Sequence, residues 1–330
     1  MVLLFVCLAV AAPAQQAEAE KLIEAGHWKR ARTLVEARIR EAPADPLANF
    51  LLSQVRNAFG DHNSPLPLAE KAVALDGRVA KFHRQVAECL GVMAQHANMF
   101  QQVFLARRFR KEIETALSLD PRDTQALRDL MEFYLLAPGI LGGDTHKASE
   151  MAARLYAVDP VGGLRAQARL ASVRQKPDEA EALLRRAAEI QPPSYQARIE
   201  LAQFYLSSAP ANLDSAAAAA AGAISIDRTR VEAYAILAEV HAACAEWKEL
   251  DAVLDGASRE VPDDLTPFYR AAERLLVVGK EPARAQRYLR LYLTQSPEGN
   301  APSLAEARAR LDGRTRAGAA AYLLEAADAK

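Results

Sequence analysis

The sequence has little of what most catalytic and nucleic-acid-binding chains are built from. Aromatic residues make up 6% of its 330 residues, too few to lay stacking faces along a single strand. Neither sign of charge is in excess: 41 Lys and Arg face 42 Asp and Glu, a formal net charge of -1. No long-range attraction to a phosphate backbone or an anionic bilayer follows, so nucleic acid is not an expected partner. The histidines are His27, His62, His83, His96, His146 and His241, and none forms a His-x-x-x-His or His-Glu-x-x-His spacing. That removes the usual helical metal sites. No Gly-x-Ser-x-Gly elbow occurs either. No catalytic residue, no metal and no small-molecule cofactor is therefore expected.

Long apolar runs are also missing, with one exception at the front. Met1–Ala14 reads MVLLFVCLAVAAPA. It is too short to span a bilayer, which needs about 20 apolar residues. An apolar stretch ending in Ala12-Pro13-Ala14 has the form of a secretory signal peptide, although no Lys or Arg precedes Lys21. The expectation is residues 1–14 as signal peptide and a protein placed in the periplasm or secreted. The alternative is an apolar first helix that caps the fold.

What the chain does have is alanine and leucine, which favour helix, in a repeating pattern. Val231–Pro262 reads as two short amphipathic helices with a bend at Ala245–Glu246. Taking Val231 as position 1, large residues fall at 4, 7, 17 and 24 (Tyr234, Leu237, Trp247, Leu254) and small ones at 8 and 27 (Ala238, Ala257). The large residues make one apolar stripe per helix, and the small ones let the helices approach. Pro262 closes the unit, because proline lacks the N–H and clashes with the preceding turn.

The pattern returns along most of the chain. Pro46–Val79 carries Leu52, Ser53, Gly60 and Ala72; the next unit opens at Ala80 with Val86 and Ala87; Thr124–Pro160 carries Leu127, Leu130, Tyr134 and Ala148. Val161–Pro192 keeps Ala180 and Ala187, Tyr195–Arg228 keeps Leu201, Ala202, Tyr205, Ala216 and Ala223, and Leu265–Pro297 keeps Phe268, Ala272, Ala285 and Leu289. Gly26, Trp28, Ala31 and Pro43 fit the second half of a further unit at the front. This spacing resembles the tetratricopeptide (TPR) repeat, a helix–turn–helix unit. The resemblance implies an all-α, right-handed superhelical solenoid of about eight units plus a C-terminal capping helix, in one domain over 15–330. Cys89 and Cys244 would then lie far apart, too far for a disulfide, and read as small buried hydrophobes.

Two stretches depart from the repeat. Between Gly77 and Pro121 the unit is overlong, and Met99–Leu119 has no turn residue, which predicts a single long helix. It carries Arg107, Arg108, Arg110 and Lys111, either a docking face or a solvated one partly paired with Glu112 and Glu114. The second departure is Ala137–Asp144, with Pro138 and three glycines. Its Ile140 and Leu141 either fold back onto the long helix or contact a partner. A long helix followed by this glycine loop also looks like a pattern in exported bacterial TPR proteins of unassigned role.

In TPR domains the first helix of each unit lines the concave groove. Transferred to this chain, the resemblance places Gln54, Glu88, Glu132, Gln203, Glu239 and Glu273 in one groove column, and Arg84, Arg128 and Tyr269 in another. Arg84 and Glu88, like Arg128 and Glu132, stand four apart and can neutralise each other. Glu239 and Glu273 lack that neighbour, so the C-terminal half of the groove is expected to be the more acidic. Lys81 and Asn57 match only part of the known TPR clamp for a peptide carboxylate, and that activity is not expected. The resemblance implies a non-enzymatic protein-interaction module that binds a protein or peptide partner in the groove. Two alternatives stand beside it: an envelope scaffold docking through its convex face and the long helix, and a helical enzyme using groove carboxylates.

Overall fold

Proline and short polar side chains punctuate the chain into helices. The computed structural model describes residues 3–61 and 63–313, with side chains from Ala14 onward. Pro46, Pro65, Pro160, Pro177 and Pro282 each open a helix, where the missing N–H costs nothing and the fixed φ suits the first turn. Asp45, Asp123, Asp144, Asp159, Ser194 and Ser303 accept N–H bonds from the first turns that follow them.

Contacts cluster into two compact units, Met1–Gln191 and Pro192–Lys330. The first unit holds α1 (Leu3–Glu24), α2 (Trp28–Glu41), α3 (Pro46–Ala58), α4 (Pro65–Leu75), α5 (Ala80–His96), α6 (Met99–Leu119), α7 (Thr124–Leu136), α8 (Thr145–Val158), α9 (Pro160–Val173) and α10 (Pro177–Glu189). The second holds α11 (Tyr195–Ser207), α12 (Leu213–Ile226), α13 (Val231–Cys244), α14 (Trp247–Glu260), α15 (Thr266–Val278), α16 (Pro282–Tyr292) and α17 (Leu304–Leu311). Each odd helix up to α15 packs on the even helix after it, and within each unit every pair stacks on the one before. This is an α-solenoid of helical repeats, and no strand occurs among the described residues.

The repeat alanines lie where the helices close. Ala31, Ala72, Ala87, Ala148, Ala180, Ala187, Ala202, Ala216, Ala223, Ala238, Ala257, Ala272 and Ala285 are all buried. Of the run Ala216–Ala221, Ala216, Ala219 and Ala220 face inward and Ala218 and Ala221 outward. The expected bend at Ala245–Glu246 is present, with Ala245 at φ 61 in the left-handed region. The long helix spans Met99–Leu119 as expected, started by an Asn98–Gln101 capping box.

The first helix begins at Leu3 and runs on without a break at Ala14. Both cysteine expectations need correction. Cys244 is exposed, because it is the last residue of α13, where the chain turns away at Ala245. Cys89 is buried as expected, but among polar groups: Ser53 Oγ lies 3.5 Å and Asn57 Nδ2 3.6 Å from its sulfur. Both cysteines are free. The expected last helix Ala317–Ala329, His62 and the side chain of Cys7 lie outside the described residues.

Asp45 ties three helices together. Its carboxylate accepts from Ala48 N at 3.1 Å, Arg38 Nη2 at 2.7 Å and Gln16 Nε2 at 2.9 Å. Burial alone would raise its pKa; the Ala48, Arg38 and Gln16 bonds outweigh that and hold it below the usual carboxylate range. Because the folded form is the stronger acid, this stabilisation is present at neutral pH and lost as the carboxylate is protonated in acid. Asp45→Ala should cost ~1–2 kcal/mol at pH 7. Urea titrations of the two proteins should converge at strongly acidic pH; a constant gap would contradict the account.

Candidate functional cleft

The contact between successive first helices thins at one place in the first unit, and a cleft opens there. First helices of successive pairs touch at α1–α3, α3–α5 and α7–α9, but between α5 and α7 that contact shrinks to at most isolated residues. The cause is length. The α5–α6 pair has 17 and 21 residues, whereas α7 has 13. The long pair overhangs α7, and the space beneath it is not filled by the next repeat.

The result is a cleft of about 690 Å³, open to solvent. Leu105 and Phe109 from α6 and Phe133 and Leu136 from α7 make its apolar walls, with Leu141 closing one side. Phe109 and Phe133 stack with ring centroids 5.5 Å apart. The Ala137–Asp144 loop is shaped for this position. Gly142 takes φ 100, where only glycine is unstrained. Gly143 is there for space: a Cβ would lie 1.7 Å from the Ala137 carbonyl oxygen. Gly139 has neither constraint. The two apolar loop residues differ in position. Leu141 folds onto the cleft, while Ile140 stands 92% exposed.

Carboxylates gather on the α5 and α7 sides of the cleft, from Glu88, Asp129 and Glu132. The pKa of half-buried Asp129 is pushed up to about 6, chiefly by loss of water, with Arg84, Gln125 and Arg128 opposing. Gln125 Nε2 donates to its Oδ1 at 2.9 Å. Glu88 is also raised, first by desolvation and then by Asp129, against Arg84 and Asn57. The Glu88 side chain is exposed by area although protein atoms crowd it. Water therefore offsets much of its penalty, and Asp129 carries the firmer shift.

Longer-range ion pairs engage residues of the pairs expected within α5 and α7. Arg84 Nε bonds Asp123 Oδ2 at 3.3 Å rather than Glu88. Glu132 is held by Arg169 from α9 at 3.1 Å. Both cations reach across to a neighbouring element.

No protein-family model and no curated protein matches the chain. Solved structures do. A thermophilic TPR protein in Thermus thermophilus, TTC0263, superposes over 59% of this chain and 99% of its own at 21% identity, with a TM-score of 0.52. A tetratricopeptide repeat protein from Parabacteroides merdae aligns over 86% of this chain and 99% of its own at 14% identity, with a TM-score of 0.43. The fold is that of a TPR protein.

The TPR groove columns expected from the repeat then fare unequally. In the first unit, half-buried Gln54, Arg84, Arg128 and Glu132 and exposed Glu88 keep solvent access. In the second unit Gln203 is exposed and Glu239 half-buried, its pKa raised by burial against Arg274 and Arg270. Tyr269 is not ligand-facing: it is fully buried, because α17 lays Arg310 and Glu306 on its hydroxyl. Burial pushes the pKa of that hydroxyl up to about 12. Glu273 is not unpaired either, since Arg270 at 2.8 Å and Arg310 both hold it. Arg270 and Arg274 of α15 and Arg310 of α17 thus set cations against both carboxylates and offset the acidity expected of the C-terminal groove.

The partial clamp is engaged internally: Lys81 pairs with Glu20, and Asn57 points to Cys89. On the long helix, Arg108 pairs with Glu70 and Arg110 with Glu114 at 3.4 Å. Arg107 and Lys111 are exposed and make no ion pair among the described residues. Glu112 is taken by His83 Nδ1 at 2.8 Å, not by the basic stripe. His241 is half-buried and pinned to Glu246 at 2.7 Å. Among the described residues no group of His, Cys, Asp and Glu could hold a metal ion, and no helix is long and apolar enough to cross a membrane.

Residue-type reasoning missed Asp129, Phe109 and Phe133. They lie outside the groove columns. The signal available was indirect: the overlong pair beside a glycine loop.

Proposed function

We propose that this chain is a non-enzymatic protein-interaction module, exported to the periplasm or beyond, that holds a polypeptide partner in the α5–α6–α7 cleft. The observation that carries this reading is uncovered apolar surface around the cleft. Leu136 on the cleft wall is 59% exposed and Ile140, next to Leu141, 92%; Phe100 (89%) and Phe104 (67%) line a second groove that shares Leu105 with the cleft. Large apolar side chains grouped at the rim of an apolar cleft mark interaction surfaces, whereas scattered ones do not. Leu136→Asp with Ile140→Asp should remove a partner that the wild-type protein retains from envelope extracts, with helicity unchanged. Retention of the same partner by the double variant would move the contact elsewhere. Sequencing the mature N-terminus tests export: a start at Gln15 supports it.

A scaffold that docks through the long helix is the second reading, supported by Met99 and Phe100 at the outer end of α6. The enzyme alternative has a raised carboxyl at Asp129 in its favour. Against it, the cleft is open, and its lining contains no His, Cys, Ser, Thr or Tyr to share the chemistry.

A further inference from the structure

We infer that the cleft is selective for a polypeptide segment that presents a large apolar side chain next to a lysine or arginine. This rests on the interaction-module reading and specifies what that module accepts. Two chemistries meet in one cavity. Leu105, Phe109, Phe133, Leu136 and Leu141 offer apolar wall on one side. Glu88, Asp129 and Glu132 line the other. A volume of about 690 Å³ suits a few side chains of an extended or helical segment, within the range of ~300–1,000 Å³ for ligand clefts.

The charge balance decides the sign of the ligand. Glu132 has Arg169. Arg84 is committed to Asp123 by its ion pair, yet it is also the principal cation opposing the shifts of Glu88 and Asp129. Arg128 adds to the field at Asp129. The lining itself holds three carboxylates and no lysine, arginine or histidine, so the wall that a ligand meets is negative. An acidic segment would meet like charge beside partly desolvated carboxylates, a strong selection against it. A lysine or arginine would complete the set, and its apolar neighbour would replace water on the Phe109–Phe133 wall. The basic face of α6 does not oppose this, because Arg107 and Lys111 are absent from the lining, to which α6 contributes Gln102, Leu105, Ala106 and Phe109.

The test uses the full chain and three fluorescein-labelled decapeptides of Gly and Ser. One has a central Leu-Lys-Phe, one Leu-Glu-Phe, and one Ser-Lys-Ser. Fluorescence anisotropy at low salt should show the Leu-Lys-Phe peptide binding at least tenfold tighter than either of the others. Glu88→Gln with Asp129→Asn, both near-isosteric, should erase the Lys-over-Glu preference. Leu141→Ser should weaken the Leu-Lys-Phe peptide while leaving circular dichroism unchanged. Equal affinity for the Lys and Glu peptides overturns the inference, as does absence of binding to all three. Sedimentation showing a dimer that Leu141→Ser dissolves also overturns it, since a second copy then fills the cleft. None of these outcomes touches the interaction-module reading if Leu136→Asp with Ile140→Asp still loses its partner. If that variant keeps its partner while the Lys preference holds, the partner's contact lies elsewhere and the cleft chemistry survives.

Discussion

Gly163→Ala should destabilise the first unit by ~3 kcal/mol, at the upper end of what overpacking usually costs. Gly163 lies in the first turn of α9, against α8. A Cβ there would lie 2.2 Å from Tyr156 Cα and 2.6 Å from Tyr156 N. Those atoms are backbone and cannot rotate away, so α8 and α9 must separate. Separation would loosen the contacts of buried Leu155, Ala152, Ala166 and Leu170, which share one core cluster with α7. Gly139→Ala is the control, because a Cβ there meets nothing within 4 Å. Urea denaturation should place the Gly139 variant near wild type and the Gly163 variant well below it. Equal midpoints for the two variants would refute the close-approach account.

Asp129→Asn should stabilise the protein at pH 7.5 and do nothing near pH 4. In the unfolded chain Asp129 titrates near 3.8, and in the fold near 6. Between those values the folded state binds the extra proton, so wild-type stability falls as pH rises through the window. A gap of about two pH units amounts to ~3 kcal/mol at most. Access of water to the half-buried carboxylate reduces that, leaving ~1–2 kcal/mol to be recovered. Asparagine keeps an oxygen to accept from Gln125, and Arg84 keeps Asp123. The check is the difference between wild-type and variant stability measured at several pH values. It should grow from near zero at pH 4 to its plateau above pH 7; a difference independent of pH would rule out the titration of Asp129 as the cause. A group that weakens the fold at working pH, at the edge of an apolar cleft, is what a binding or reactive site looks like electrostatically.

The periodic part of the chain was readable because its signal is repeated. Each helix pair needs a small residue where backbones cross and a large one beside it. Thus Ala238 and Ala272 end at 0% exposure for the same reason as Ala72 and Ala87. Start and stop residues were equally local: Ser303 caps α17 by accepting from Glu306 N, and Ala245 turns the chain. Pairings between helices were not readable in this way. A carboxylate four residues from an arginine can bond it, but Arg84 bonds Asp123 at the start of α7 and Glu132 is reached by Arg169 of α9, contacts set by stacking and not by spacing. Tyr269 and Glu273 matched the groove pattern and were nonetheless covered by Arg310.

The amino-acid order alone determined that this chain is a stack of helix pairs, that one pair is too long, and that a glycine loop follows it. Spacing along a helix is a one-dimensional property, and small and large residues at fixed intervals specify it directly. Only the tertiary structure decided what the irregular pair does. Overhang, the cleft beneath it and the raised pKa of Asp129 depend on which residues of different helices share a space and how little water reaches them, and no spacing rule within a single helix contains that information.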